Sequence, residues 1–268
     1  MLDRYNREIF YLRISVTDRC NLRCTYCMPE SGIPLKKHAD ILTYEQIVSI
    51  AREAGKLGIT KVRLTGGEPL VRRHISSLVE QLRAEKRIQE ITLTTNGILL
   101  PKMARSLKKA GLDRLNISLD TLNPETYRRL TRIGNLDLAL KGIDSAIEAG
   151  FLHTKLNMVL IPGVNTHEVE DLRLFCLEKG LRLQRINQYS LTDIGSMDRQ
   201  HTAERPLNCS LCNRIRLTSD GYLKPCLFSD IEIPVNMARI GDSLRQAILK
   251  KPECGSFCSG RENWQIGG

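Results

Sequence analysis

Three cysteines, Cys20, Cys24 and Cys27, fall on one short stretch directly after the apolar run Leu12 to Val16. The C-x3-C-x2-C spacing puts three thiolates on a tight loop. Each can bind one iron of a [4Fe–4S] cube, which leaves the fourth iron without a protein ligand. An open iron of this kind can chelate the amino and carboxylate groups of S-adenosylmethionine and pass one electron to its sulfonium. Cleavage then yields a 5′-deoxyadenosyl radical able to abstract hydrogen from unactivated carbon. Cluster and cofactor carry that chemistry, while the protein positions and shields them. The competing assignment is a zinc knuckle or buried free thiols, but zinc more often takes paired C-x2-C ligands and four of them.

Two further groups bear on this chemistry. In Thr65-Gly66-Gly67-Glu68-Pro69, two glycines after a strand let the backbone approach a ligand closely, and Glu68 offers a carboxylate to a ligand ammonium. Cys209 and Cys212 are followed, fourteen residues later, by Cys226. Between them a strand-like stretch from Asn213 enters an Asp220-Gly221 turn, and such a hairpin brings Cys226 back beside the first pair. Alternation sets Arg214 and Arg216 on one face of that strand. Two forked guanidiniums beside a thiol loop favour anion binding over an ordinary surface pair.

The elements that must hold these groups show one repeated alternation. Strands are predicted at Leu12–Val16, Lys61–Thr65, Glu90–Thr95, Arg114–Leu119, Thr154–Ile161 and Leu183–Tyr189. Helical patterns lie between them at Tyr44–Leu57, Ile75–Lys86, Pro101–Lys109, Leu136–Ala149 and His167–Lys179, the first opening on a Thr43–Gln46 capping box. Six βα units imply a parallel sheet with outer helices, and ligand sites gather at the C-terminal ends of such strands. Cys20, Gly66, Asn96 and Ser118 lie at or just past those ends. After about residue 190 the alternation stops, so the chain divides into a 1–190 core and a 191–268 C-terminal region.

Composition narrows the class. The chain has 268 residues, 41% of them hydrophobic, and no apolar run of eighteen, so a core is expected and a membrane span is not. Nine cysteines cluster rather than spread, and no secretory start is visible, which favours a reducing cytoplasm and iron–sulfur ligation. A net charge of +10 suggests an anionic partner. Aromatic content of 5%, with no basic–aromatic interleaving, argues against nucleic acid.

These residues resemble two nested families. Cys20, Cys24, Cys27, Tyr26 and the Gly66-Gly67-Glu68-Pro69 segment are similar to the signature of the radical S-adenosylmethionine superfamily. The opening Leu12 to Cys20, the Cys209-x2-Cys212-x-Arg214-x-Arg216 run with Asp220-Gly221 and Cys226, and the terminal Gly267-Gly268 resemble the GTP 3′,8-cyclases of molybdenum-cofactor biosynthesis. The resemblance implies an α/β fold, a partial (βα)6 TIM-like barrel with a small C-terminal iron–sulfur extension. It implies two [4Fe–4S] clusters, on Cys20, Cys24 and Cys27 and on Cys209, Cys212 and Cys226, with S-adenosyl-L-methionine held by Tyr26, Gly66, Gly67, Glu68 and Ser118. GTP contacts fall on Arg13, Arg63, Thr94, Lys155, Arg214 and Arg216, with the guanine at the open iron of the second cluster. Arg13 and a Gly267-Gly268 tail entering the site take catalytic roles. In the implied reaction the radical takes the ribose 3′ hydrogen and the carbon radical attacks guanine C8. A reductant for the cluster, a downstream pyranopterin synthase, a cytoplasmic location and a monomer or homodimer complete the implied setting.

Three features depart from the family pattern: a short connection from Leu191 to Asn208, Ser190 in place of an apolar residue, and the Cys254-x3-Cys258 pair. The expectation is a second cluster on three cysteines, with Cys254 and Cys258 dispensable for its assembly. Cys176 reads as a buried apolar residue. Two other readings stand beside this one: a related radical enzyme acting on a peptide or another nucleotide, and a non-catalytic iron–sulfur or zinc protein.

Overall fold

The computed structural model describes residues 1–34, 36–192, 203–204 and 208–267. Six parallel strands follow one another in sequence order: β1 (Tyr11–Ser15), β2 (Lys61–Thr65), β3 (Glu90–Thr95), β4 (Arg114–Ser118), β5 (Lys155–Leu160) and β6 (Arg182–Asn187). Each matches its predicted strand to within a residue or two at either end. The intervening helices are α1 (Tyr44–Lys56), α2 (Ile75–Arg83), α3 (Leu100–Lys109), α4 (Pro124–Thr131), α5 (Leu136–Glu148) and α6 (Val169–Glu178). The capping box at the start of α1 is formed, Thr43 and Gln46 each bonding the other's backbone N–H. The structure thus has the α/β class and the βα succession expected of it.

The C-terminal region joins the same sheet. β7 (Arg214–Leu217) pairs in parallel with β1, and β8 (Tyr222–Lys224) and β9 (Ile233–Pro234) continue it antiparallel, giving the order β6-β5-β4-β3-β2-β1-β7-β8-β9. The hairpin expected at Asp220-Gly221 is present. Two helices close the chain, α7 (Ile240–Leu249) and α8 (Asn263–Ile266).

The two faces of the sheet differ sharply. One carries Leu12, Ile14, Val62, Leu64, Ile91, Leu93, Leu115, Ile117, Leu156, Met158, Ile215 and Leu217, all fully buried against the helices. The other, read by alternation, carries Tyr11, Arg13, Lys61, Arg63, Thr92, Thr94, Asn116, Ser118, Asn157, Gln184, Arg214 and Arg216. Parallel strands covered on both sides by helices read as continuous apolar runs. A polar second face is therefore built to meet something other than a helix.

Candidate active site

A cavity of about 360 Å³ opens on that polar face. It is lined at one end by Cys20, Cys24 and Cys27 and at the other by Cys209, Cys212 and Cys226. Topology sets the two ends. The first thiols follow the C-terminal end of β1, while Cys212 lies two residues before the start of β7, which is in register with the start of β1 (Tyr11 opposite Arg214). A five-residue strand thus runs between the two thiol groups, a span of about 16 Å at ~3.3 Å per residue.

The loop bearing the first thiols is held against the Gly66-Gly67 turn. Gly67 and Glu68 donate their N–H groups to the carbonyls of Thr17 and Arg19, at 2.9 and 2.8 Å. A Cβ on Gly66 would lie 2.4 Å from the Thr17 carbonyl oxygen, and one on Gly67 equally close to that of Arg19, so only glycine permits this approach. Glu68 is buried and accepts from Leu70 N, Thr95 Oγ1 and Asn96 N at 3.0, 2.8 and 2.7 Å. It ties the turn to the end of β3, and any ligand ammonium would meet a carboxylate already fixed in place. Burial pushes its pKa up to about 7, against the pull of those hydrogen bonds.

Burial and the neighbouring carboxylate of Glu68 raise Cys20 to about 11, and burial beside Cys20 raises Cys27 to about 12. Cys24 is pushed well above its usual range by burial, then by Asp120 and the two other thiols. Three such thiols resist ionising together unless a cation takes the protons' place, which suits iron ligation. The Tyr26 hydroxyl donates to Asp120 at 2.7 Å, and Asp120 also accepts from Val159 N, so the aromatic before the third cysteine is anchored between β4 and β5.

Between the thiol groups lies a row of guanidiniums. Register places Arg216 of β7, Arg13 of β1 and Arg63 of β2 side by side across three adjacent strands. Arg214 precedes them by one step of the same face, and the Tyr11 ring packs with Arg63, Arg214 and Lys61. Arg13 is held well below its usual range by burial and then by Arg216, Arg63 and Arg214; Arg216 is lowered by burial and Arg214. Glu68 is the only carboxylate among the described residues that line the cavity. Arg214 Nε and Thr94 Oγ1 are buried with no hydrogen-bond partner among those residues. Mutually repelling cations with unused donors form a site for a polyanion.

The chain's own end already touches this row. Gly267 carbonyl oxygen accepts from Arg13 Nη2 at 3.0 Å and Arg216 Nη1 at 3.3 Å. Gly267 has φ +73°, and a Cβ there would sit 2.2 Å from Thr65 Oγ1. Only glycine at this position lets the tail enter the cavity. Gly268 lies outside the described residues, and most of the 191–208 connection does too.

Of the other residues expected at the site, Tyr26, Gly66, Gly67, Ser118, Arg63 and Thr94 all line the cavity. Lys155 does not; it stands half-buried at the first position of β5 on the same face. Of the lining residues that the sequence reading did not single out, Lys251 bears most on the chemistry. Lys251 is buried, donates to the carbonyls of Arg214 and Pro225 at 2.9 and 2.7 Å, and with Arg214 offsets burial to bring Cys212 below its ordinary pKa. Its only sequence signal was a lysine before a proline.

Residues 14–176 match the family model described as the Radical SAM superfamily. The chain is 44% identical to the GTP 3′,8-cyclase of Peptoclostridium acidaminophilum, over all of this chain and 98% of that protein. It is 39% identical to the GTP 3′,8-cyclase of Petrotoga mobilis, over 96% and 95%. The first of these alignments spans 319 positions against 268 residues here, so that relative carries positions this chain lacks. Among solved structures it is similar to anSMEcpe with bound AdoMet (TM-score 0.66, 16% identity, 91% of this chain and 81% of that one). It is also similar to Streptococcus suis SuiB bound to S-adenosylmethionine (TM-score 0.65, 20% identity, 82% and 60%). These two likenesses concern the fold.

Proposed function

The chain belongs to the radical SAM superfamily and, within it, to the GTP 3′,8-cyclases, and on that premise we propose how its residues convert GTP to (8S)-3′,8-cyclo-7,8-dihydroguanosine 5′-triphosphate, the first step of molybdenum cofactor biosynthesis. Cys20, Cys24 and Cys27 would hold one [4Fe–4S] cluster, with S-adenosylmethionine beside it against Tyr26, Gly66, Gly67, Glu68 and Ser118. When bound, cluster and cofactor supply a 5′-deoxyadenosyl radical that takes the ribose 3′ hydrogen. Cys209, Cys212 and Cys226 would hold a second cluster at the guanine end, where Lys251 offsets the charge of the thiolates.

The observation that carries this reading is the row Arg216, Arg13, Arg63, set by strand register between two triplets of thiols. Those guanidiniums, with Arg214 and Thr94, bind the triphosphate and ribose and fix the 3′ carbon toward the first thiol group, while Lys155, outside the cavity lining, adds only charge from the same face of β5. Binding a polyanion also offsets the repulsion among them, which favours GTP over a neutral ligand. Gly267, bonded to Arg13 and Arg216, closes the site and keeps water from the reacting ribose. The 1–190 core supplies the radical-generating half and the 191–268 region the substrate-side half. A reductant, a pyranopterin synthase downstream, a cytoplasmic location and a monomeric or homodimeric state belong to the same proposal.

Anaerobic turnover of the reconstituted protein with GTP, dithionite and S-adenosylmethionine tests it. The expected product is the 3′,8-cyclised nucleotide, formed with 5′-deoxyadenosine. Formation of 5′-deoxyadenosine without change to GTP would refute it.

A further inference from the structure

We propose that Cys254 is a fourth, displaceable ligand of the second cluster, occupying its open iron while GTP is absent and yielding that position to the substrate. The proposal rests on the second cluster being held by Cys209, Cys212 and Cys226.

Four features of the structure converge on Cys254. Its Sγ donates to Cys209 Sγ at 2.8 Å, which brings the two loops together; two sulfurs on separate irons of one cube stand further apart, so loading the cluster must part them. The next residue, Gly255, runs so close to Cys226 that a Cβ on it would lie 2.8 Å from that sulfur, and Ser256 donates its N–H to the Phe228 carbonyl at 3.0 Å. On the other side, the buried Arg7 side chain clamps the approach. It is oriented by Asp3 at 2.6 Å, and it donates to the carbonyls of Cys209, Glu253 and Pro252 at 2.9, 2.7 and 2.6 Å. Lys251, three residues before the thiol, bonds the Arg214 and Pro225 carbonyls. The segment carrying Cys254 is thus fastened to each of the loops that carry the other three sulfurs, and a fourth thiol is delivered to them.

The same geometry makes this ligand the one that leaves. Cys209, Cys212 and Cys226 line the cavity and are half-buried, whereas Cys254 is exposed and sits in a stretch without helix or strand. The backbone on either side stays clamped through Arg7 and Lys251, so release needs only a rotation of the exposed Cys254 side chain toward solvent. Arg214 and Arg216 draw an anionic substrate to the cavity, so substrate and Cys254 would compete for one iron of a cluster held there. In the exchange the bond from iron to Cys254 sulfur breaks and a bond to a substrate donor forms. The released thiolate takes a proton from solvent, and the iron's oxidation state is unchanged. Cys258 takes no part: it is buried with Leu191, Phe228 and Ile266, with Lys224 Nζ at 3.5 Å.

Thiol footprinting of the anaerobically reconstituted wild-type protein decides the matter, with alkylation by iodoacetamide followed by peptide mass mapping. In the metal-free protein Cys254 should be alkylated fast. With clusters loaded and no GTP, its alkylation should slow at least tenfold, and saturating GTP should restore the fast rate while Cys209, Cys212 and Cys226 stay protected. Fast alkylation of Cys254 in the loaded, GTP-free protein, with those three protected, would overturn the proposal and leave the second cluster standing. Protection that persists under saturating GTP would overturn the displacement. Labelling of Cys209, Cys212 and Cys226 in a protein whose Cys20, Cys24 and Cys27 are protected would remove the second cluster itself. An independent measurement is GTP affinity of Cys254→Ala, which should keep its iron and bind about tenfold tighter if nine molecules in ten are capped at rest. Unchanged affinity would count against the cap.

Discussion

Replacing Arg214 and Arg216 together by alanine separates binding of GTP from generation of the radical. Both residues stand on the cavity face of β7, one strand from Arg13, and Arg216 is only 5% exposed. A charge-assisted hydrogen bond contributes about 1.5–3 kcal/mol, so one bond from each guanidinium amounts to about 3–6 kcal/mol, or roughly two to four decades of affinity. The opposite sign applies without substrate. Arg216 is the nearest cause, after burial, of the depressed pKa of Arg13, and Arg214 adds to it. Deleting both therefore relieves repulsion in the empty site, and the substrate-free protein should be no less stable to denaturant. Calorimetric titration with GTP on the anaerobically reconstituted variant gives the affinity. Reduction with dithionite in the absence of GTP gives 5′-deoxyadenosine formation, which should remain near the wild-type rate because the first thiol group is at the other end of β1. A GTP dissociation constant within threefold of wild type would refute the reasoning and move the triphosphate away from the arginine row.

Cys24→Ala should abolish S-adenosylmethionine cleavage, since two thiolates cannot hold the cube open at one iron; retained 5′-deoxyadenosine formation in a fully reconstituted sample would contradict the assignment. In Gly67→Ala the new methyl would press on the Arg19 carbonyl, and overpacking of this kind destabilises by about 1–3 kcal/mol, so urea unfolding should shift accordingly and iron at the first site should fall. Gly267→Ala meets both a positive φ and Thr65, so the tail should leave the cavity. Cyclised product should then drop by an order of magnitude or more while uncoupled cofactor cleavage persists, and equal product yield would argue against a role for the tail. Glu68 has its pKa raised from 4.5 to about 7, which means its stabilisation is full below pH 4.5 and is lost as pH rises through about 7. The loss is about 3 kcal/mol. Glu68→Gln should flatten the stability of the metal-free protein across that window, and an unchanged slope in denaturant midpoints would show that burial does not govern this carboxyl.

Periodicity reached the first four core strands almost to the residue, because each alternates a buried aliphatic with a polar side chain over five positions, while β5 and β6, which alternate less cleanly, were marked by their place in the βα succession. It also reached the Arg214–Gly221 hairpin, where the Asp-Gly turn is local. Helix α4 was not among the predicted patterns: its eight residues are polar on most sides, and only Asn123 followed by Pro124 marks its start. The thiol loops and the glycine turn were legible because metal chemistry and close backbone approach depend on residue type at short spacing. Lys251, the Tyr26–Asp120 bond and the reach of Arg7 to the Cys209, Pro252 and Glu253 carbonyls were not, since each acts across long sequence separation. Cys254 and Cys258 look alike in sequence as a C-x3-C pair, yet one meets Cys209 and the other packs among apolar side chains. Only the path of the chain between Pro252 and Gly260 distinguishes them.

Because β7 pairs directly with β1, the separation of the two thiol groups is gauged by a hydrogen-bond ladder and not by the chain that links them. The route from β6 to Cys209 can lengthen or shorten in evolution without altering the distance a nucleotide must bridge, and the cost of closing such a connection changes only slowly with its length. A short stretch from Leu191 to Asn208 is therefore compatible with this gap. The converse is strict. One residue inserted within β1 would turn Arg13 to the helix side and carry the row of charges out of the cavity, so length variation is tolerated everywhere along the connection and nowhere along the strand.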